Sequence, residues 1–276
     1  MLEPNFSESQ LQQATNAAFI QRIFLKNGTW AFPHVMSLFD EFGLGWDTAF
    51  HLGWLPYIPE PDHEGCNFFL QYKLSNQLTS AGAKEWSHWG EEYFRFKIPH
   101  RTRDATGKYF DDYHQWDRLK ELAAKSYPTY YATNATLSKD VLIAAMNAGT
   151  LLDNIPLLDV RTIANKHKHV TFTPKSHGFR LHSEVEIGDR FIFSNMLTLL
   201  TQQPQLTLTA SNERLRNELK ELRTNDSAWN NDLSQIDSFF SGNTKNLAHH
   251  WFQHLALASF LRKHTGAYLL WCPKGA

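Results

Sequence analysis

Near the start of the chain the apolar residues recur at helical spacing. Ser7-Glu8-Ser9-Gln10 reads as a capping box, with Ser7 at N-cap and Gln10 at N3. Leu11, Ala14, Ala18, Ile20, Ile23 and Phe24 then suit an amphipathic helix that ends at Asn27-Gly28. A second helix is expected over 33–42, with Val35, Leu38, Phe39 and Phe42 on one side and Gly43-Leu44-Gly45 as its stop. The pattern then turns strand-like. Residues 46–52 are short and aromatic-rich, and 66–74 contain the run Phe68-Phe69-Leu70. Residues 93–98 alternate, setting Phe94, Phe96 and Ile98 against Tyr93, Arg95 and Lys97. A helix is expected over 81–92 and another over 111–125, feeding a strand over 128–132. A helix over 138–147 starts at Ser138 and stops at Gly149. Further on, strands are expected over 170–173, 179–187 and 267–272. Helices are expected over 189–200, 212–222 and 245–263, with the polar stretch 224–234 as a loop.

From residue 8 to 132 the order is two helices, strand, strand, helix, strand, helix, strand. Alternation of this kind points to an α/β fold, a mixed sheet flanked by helices and covered on both faces. The expected division is an α/β core over 1–155 and an α+β extension over 156–276, with one continuous domain as the alternative.

Composition narrows the setting. The chain has 276 residues, 42% hydrophobic and 20% charged, as in ordinary globular proteins. Aromatic residues make up 14%, which favours a large aromatic core over aromatic contact surfaces. No apolar run reaches the roughly 20 residues of a membrane helix, and residues 1–13 are too polar for a signal peptide. Cys66 and Cys272 suggest neither a disulfide framework nor zinc spacing. The expected location is therefore the cytoplasm, with no membrane partner.

A formal net charge of −1 argues against a general polyanion binder. Positive charge is nevertheless clustered. Arg95, Lys97, Arg101, Arg103 and Lys108 accompany His100; Lys166, Lys168, Lys175 and Arg180 accompany His167, His169 and His177. Such patches can hold phosphates, or they can be solvated loops.

Two local patterns carry candidate chemistry. In Gly45-Trp46-Asp47 an acid opens a strand after a glycine turn. In Phe68-Phe69-Leu70-Gln71-Tyr72-Lys73 an apolar strand ends in Gln-x-Lys, so Gln71 and Lys73 share a face. If the two strands pair, Asp47 can lie beside that face. A carboxylate and an amide oxygen can hold a hard cation, which polarises a phosphate, while a lysine stabilises developing charge. The plainer alternative makes Asp47 a turn cap and puts Gln71 and Lys73 on an exposed edge strand.

These segments resemble the PD-(D/E)XK nuclease superfamily in its Q-x-K variant, as in Mrr-like restriction endonucleases, over roughly residues 8–132. The resemblance implies a restriction-endonuclease-like fold with Asp47 as metal-binding carboxylate, Gln71 as second metal ligand and Lys73 as catalytic lysine. It further implies Glu41 as an additional acid, with Glu8 a weaker match, and Gln115 as a site glutamine on the helix after the lysine strand. Pro61-Asp62 is a competing first motif. The function implied is Mg2+- or Mn2+-dependent cleavage of DNA in bacterial anti-phage defence. Arg95, Lys97, Arg101 and Arg103 are the expected nucleic-acid contacts, and residues 156–276 the partner- or target-recognition part. The chain has no phosphate-binding glycine loop, so a helicase or other ATPase is the expected partner; a homo-oligomer is left open. Glutamine in place of the usual acid removes a charge, so the alternative is an inactive nuclease-like module that binds protein or nucleic acid. Ranked lower are a metal site at His249, His250 and His254, and substrate contacts from Arg180-Leu181-His182-Ser183-Glu184.

Overall fold

The capping box forms as its sequence requires. Ser7 Oγ accepts the Gln10 amide at 3.2 Å and Gln10 Oε1 accepts the Ser7 amide at 2.9 Å, opening α1 (Glu8–Asn27). The computed structural model describes residues 1–27, 31–32, 53–54, 64–222, 226–240 and 247–274. The expected helix over 33–42, the expected strand over 46–52, and Glu41, Asp47, Pro61 and Asp62 lie outside the described residues.

After α1 come β1 (Ala31–Phe32), β2 (Gly53–Trp54), β3 (Glu64–Lys73), β4 (Asn76–Leu78), β5 (Tyr93–Lys97), β6 (His100–Arg103), β7 (Tyr109–Asp112), α2 (His114–Ala124), β8 (Thr129–Thr133), α3 (Lys139–Asn147) and β9 (Leu157–Asp159). There follow β10 (His169–Phe172), β11 (Gly178–His182), β12 (Glu186–Phe191), α4 (Phe193–Thr201), β13 (Leu206–Thr207), α5 (Leu208–Glu221), α6 (Ser227–Phe240), α7 (Leu247–Thr265) and β14 (Tyr268–Pro273). The class is mixed α/β, with a large mixed sheet flanked by helices. No helix among the described residues is long and apolar enough to cross a membrane.

The chain separates into two compact units. One comprises Met1–Ala18 with Leu70–Thr198, the other Phe19–Phe69 with Leu199–Ala276. The units are interleaved along the sequence.

In the first unit the strand order is β3-β8-β9-β12-β11-β10-β5-β4. Ser75 and Asn134, just beyond the C-terminal ends of β3 and β8, exchange two hydrogen bonds: the Ser75 amide donates to Asn134 Oδ1 at 2.7 Å, and Asn134 Nδ2 donates to the Ser75 carbonyl at 3.0 Å. The two strands therefore run parallel, with α2 inside the connection between them. From β8 to β4 the order continues through antiparallel pairs.

This sheet is strongly curled. β5 and β8 are separated by four strands, which in a flat sheet is about 24 Å at ~4.8 Å per strand. Yet the rings of Phe96 and Tyr131 are 5.9 Å apart. The curl also explains how β3 and β4, at opposite ends of the order, are joined by only Leu74 and Ser75. Its concave face is aromatic, as the alternation over 93–98 predicts. Phe94 stacks on Phe172 at 5.4 Å, Phe172 meets Phe179 at 5.1 Å, and Trp116 of α2 lies parallel to Tyr131 at 6.3 Å. On the other side of β3, Tyr72 Oη donates to Asn16 of α1 at 2.7 Å. Covered on both faces, β3 is buried from Gly65 to Lys73.

In the second unit β13 and β14 pair with the first half of β3. Trp229 of α6 packs edge-on against Phe260 of α7 at 4.6 Å, and Asp232 takes both His264 and Lys263 at 2.7 Å.

Five local expectations are corrected. Residues 81–92 form turns with a single 3-10 turn at Trp86–His88, because their polar and aromatic side chains dock on the sheet instead of forming one apolar stripe. Residues 111–112 belong to β7, so the helix expected from 111 begins at His114. The strand expected over 179–187 is a hairpin, β11 and β12, that turns at 183–185; Asp189 to Phe191 complete β12 and the next helix starts at Phe193. The loop expected over 224–234 is largely α6, whose Trp229, Leu233 and Ile236 recur at helical spacing and are buried.

Candidate active site

β3 brings Gln71 and Lys73 to the same face, and neither lies on an exposed edge. Gln71 is 3% and Lys73 6% exposed, because β8 flanks the strand and α2 covers that face. A buried ammonium needs hydrogen-bonding partners, and the surroundings supply them. Lys73 Nζ donates to His100 Nε2 at 3.0 Å, and Gln71 Nε2 donates to Gln115 Oε1 at 2.6 Å. His100 Nε2 is also in hydrogen-bond contact with Gln115 Oε1, which closes a chain Gln71–Gln115–His100–Lys73.

Three elements place the four members. Gln115 sits in the first turn of α2, His100 opens β6, and the end of β3 is held against β8 by the Ser75–Asn134 pair and by a 2.6 Å hydrogen bond between Ser75 Oγ and Thr133 Oγ1. Ser75, Thr133 and Asn134 are buried. This polar lock two residues beyond Lys73 restricts the site's geometry.

The two contacts of His100 Nε2 make opposite demands on it. A bare nitrogen accepts from the Lys73 ammonium; a protonated one donates to Gln115. Burial lowers the His100 pKa most, and the Lys73 charge lowers it further; the Gln115 contact and Asp112 pull the other way, and the net shift is downward. Neutral imidazole is thus favoured, and its tautomer decides which of the two contacts Nε2 serves. Asp112 lies on the same side of the β6–β7 ribbon as His100 and accepts the His114 amide at 2.9 Å.

The structure therefore brings together three residues read from the sequence, Gln71, Lys73 and Gln115. Asp47 and Glu41 lie outside the described residues, and Glu8 is exposed in the first turn of α1. Among the described residues no three His, Cys, Asp or Glu side chains gather as a metal site. Among the described residues the donors at the site are two amides and an imidazole, whereas a hard divalent cation takes oxygen ligands, carboxylates foremost. No family model, no curated protein and no solved structure matches the chain.

The four expected nucleic-acid contacts divide. Arg95 is ion-paired with Glu85 at 3.1 Å, and Lys97 is paired with Asp111, which also takes Lys168 at 2.6 Å. Arg101 and Arg103 are exposed on the β6–β7 ribbon and form no ion pair with any described residue. In the sequence His100 stands out only as part of a basic cluster; its role is not legible there because Lys73 lies 27 residues away. Two histidines of α7 are tied to α5. His254 Nδ1 meets Asn212 Oδ1 of α5 at 2.9 Å, and Asn212 Nδ2 donates to the His250 carbonyl at 2.9 Å. His182 is likewise held inside the fold, 2.7 Å from Thr171 Oγ1.

Proposed function

We propose that the protein is a Mg2+-dependent phosphodiester-cleaving enzyme acting on DNA, with a restriction-endonuclease-like core around β3, α2 and β8. The observation that supports it is the convergence of Gln71, Lys73 and Gln115, three residues whose types and order suit this chemistry, at the ends of two parallel strands. In this reading Asp47 and Gln71 would hold the cation, which when bound would supply acidified water and polarisation of the phosphate. Lys73, in hydrogen-bond contact with His100, would stabilise negative charge building on the phosphate. Gln115 orients the Gln71 amide and the His100 ring. A role in bacterial defence, a helicase or other ATPase as partner, and target recognition by residues 156–276 rest on the resemblance alone.

The test is cleavage of labelled DNA with Mg2+ or Mn2+, together with calorimetric titration of Mn2+. Wild type is expected to cleave and to bind the ion, with cleavage lost in Lys73→Ala and ion binding lost in Asp47→Ala. Equal cleavage by Lys73→Ala would refute the assignment. Nucleic-acid binding with no cation site in wild type would point to an inactive binding module.

A further inference from the structure

The β6–β7 ribbon has two chemically different faces. Register pairs Arg103 with Tyr109 and Arg101 with Asp111 on one side, Thr102 with Phe110 and His100 with Asp112 on the other. On the first side both guanidiniums lie over the Tyr109 ring, their carbons 4.2 Å and 4.5 Å from its centroid, and Arg103 also donates to the Tyr109 hydroxyl. Asp111 on that face is already neutralised by Lys97 and Lys168, which leaves two ordered guanidiniums facing solvent. On the second side Phe110 is 46% exposed, on the same face as His100, which is itself exposed where it meets Lys73. The tip between the strands is a tied turn. Asp104 Oδ1 accepts the amides of Thr106 and Lys108 at 2.9 Å and 3.0 Å, and Gly107 adopts φ 82°, a value glycine takes without strain.

We propose that this ribbon is a binding arm for single-stranded nucleic acid, with Arg101 and Arg103 on its phosphates and Phe110 stacking a base beside the Lys73–His100 cluster. It deepens the phosphodiester-cleaving reading and rests on it only for the direction in which the strand runs. Guanidiniums on one face and an exposed ring on the other match a polyanion that carries flat bases. The ribbon is only two strands, ~5 Å, wide between backbones. A flexible strand following its edge reaches both faces, whereas a stiff duplex whose bases are stacked away does not.

The experiment measures fluorescence anisotropy of a labelled single-stranded 20-mer in EDTA, with its duplex and inorganic polyphosphate as competitors. Phe110→Ala is expected to weaken single-strand binding about ten-fold and to leave polyphosphate competition unchanged, while Phe110→Trp retains affinity. The double variant Arg101→Gln/Arg103→Gln is expected to lower the slope of log K against log salt by about 1.4, at roughly 0.7 for each phosphate no longer neutralised. Thermal melting confirms folding of each variant. The proposal falls if wild type does not bind the single strand, if Phe110→Ala binds it as wild type does, or if the duplex competes equally. The two readings fail separately. Ribbon-dependent binding without Lys73-dependent cleavage sinks only the nuclease; cleavage without ribbon-dependent binding sinks only the arm.

Discussion

Lys73 and His100 meet at 3.0 Å although one ends a central strand and the other opens a surface ribbon. The ammonium disfavours a second positive charge on the imidazole and so holds the His100 pKa down, in addition to burial. In Lys73→Ala the His100 pKa is expected to rise, yet to stay below the ordinary histidine value because burial persists. NMR titration of the imidazole resonances measures this. An unchanged titration would separate the two groups in solution. The same variant is expected to lose at least about 100-fold in cleavage, the order observed when one charge-stabilising donor is removed.

His169 and His182 set a second pH dependence, one of stability. Burial is the main cause that pushes both down to about 4, with Arg95 adding to it for His169, and Glu85 opposing for both. The folded state therefore keeps them neutral while the unfolded chain, near 6.5, takes up protons. Stability is full above about pH 6.5 and is lost as pH falls from there toward 4. Asp111, lowered to about 2 by the lysines that hydrogen-bond it, acts in a separate window below 4. Melting temperature is expected to fall between pH 7 and 5, with a smaller fall in His169→Gln/His182→Gln. An identical pH slope in that variant would assign the loss to other groups.

The buried aromatic core gives a contrast between two single changes. Tyr131 lies between Phe96 and Trp116, and its hydroxyl is buried with no hydrogen-bond partner among the described residues. Burial alone raises its pKa strongly. Removing that oxygen in Tyr131→Phe is expected to be neutral or to stabilise by up to about 1 kcal/mol. Phe172→Ala removes a ring packed on both Phe94 and Phe179 and is expected to cost about 3–5 kcal/mol. Urea denaturation of the two variants measures both; a large loss in Tyr131→Phe would mean the hydroxyl is bonded in solution.

What can be read from the sequence is what local pattern dictates. The Ser7 capping box, the alternation over 93–98, the Ser138 N-cap and the Gln-x-Lys face all depend on residues within a few positions of one another. The 81–92 segment departs from its pattern for the opposite reason. Its Glu85 accepts from Tyr93 and Arg95, and its Trp89 donates to Thr171, so tertiary docking decides its shape. The curl of the sheet is not legible either, since it depends on Phe96 reaching Tyr131 across four strands. In the candidate site, strand alternation puts Gln71 and Lys73 on one face, whereas Gln115 is suggested only by the family resemblance. His100 and the Ser75–Asn134 lock need the strand pairing to be known.

Gly65 and Gly188 test how tightly two strands are approached. Replacing glycine by alanine inside a strand ordinarily helps by reducing the freedom of the unfolded chain. At Gly65 an added Cβ would lie 2.5 Å from the Cys272 carbonyl oxygen and 2.5 Å from two atoms of the Trp271 ring. Both obstacles are held fast, one being backbone and the other a fully buried indole. At Gly188 the nearest atom is Leu158 Cδ1 at 2.6 Å, the far end of a side chain that can rotate. Gly65→Ala is therefore expected to destabilise by about 1–3 kcal/mol, as overpacking does, and Gly188→Ala by distinctly less. Urea denaturation ranks the two, and hydrogen exchange locates the damage, with protection lost along β14 in Gly65→Ala. Equal stability of Gly65→Ala and wild type would mean that β14 does not lie against the start of β3, and the pairing of these strands would have to be redrawn.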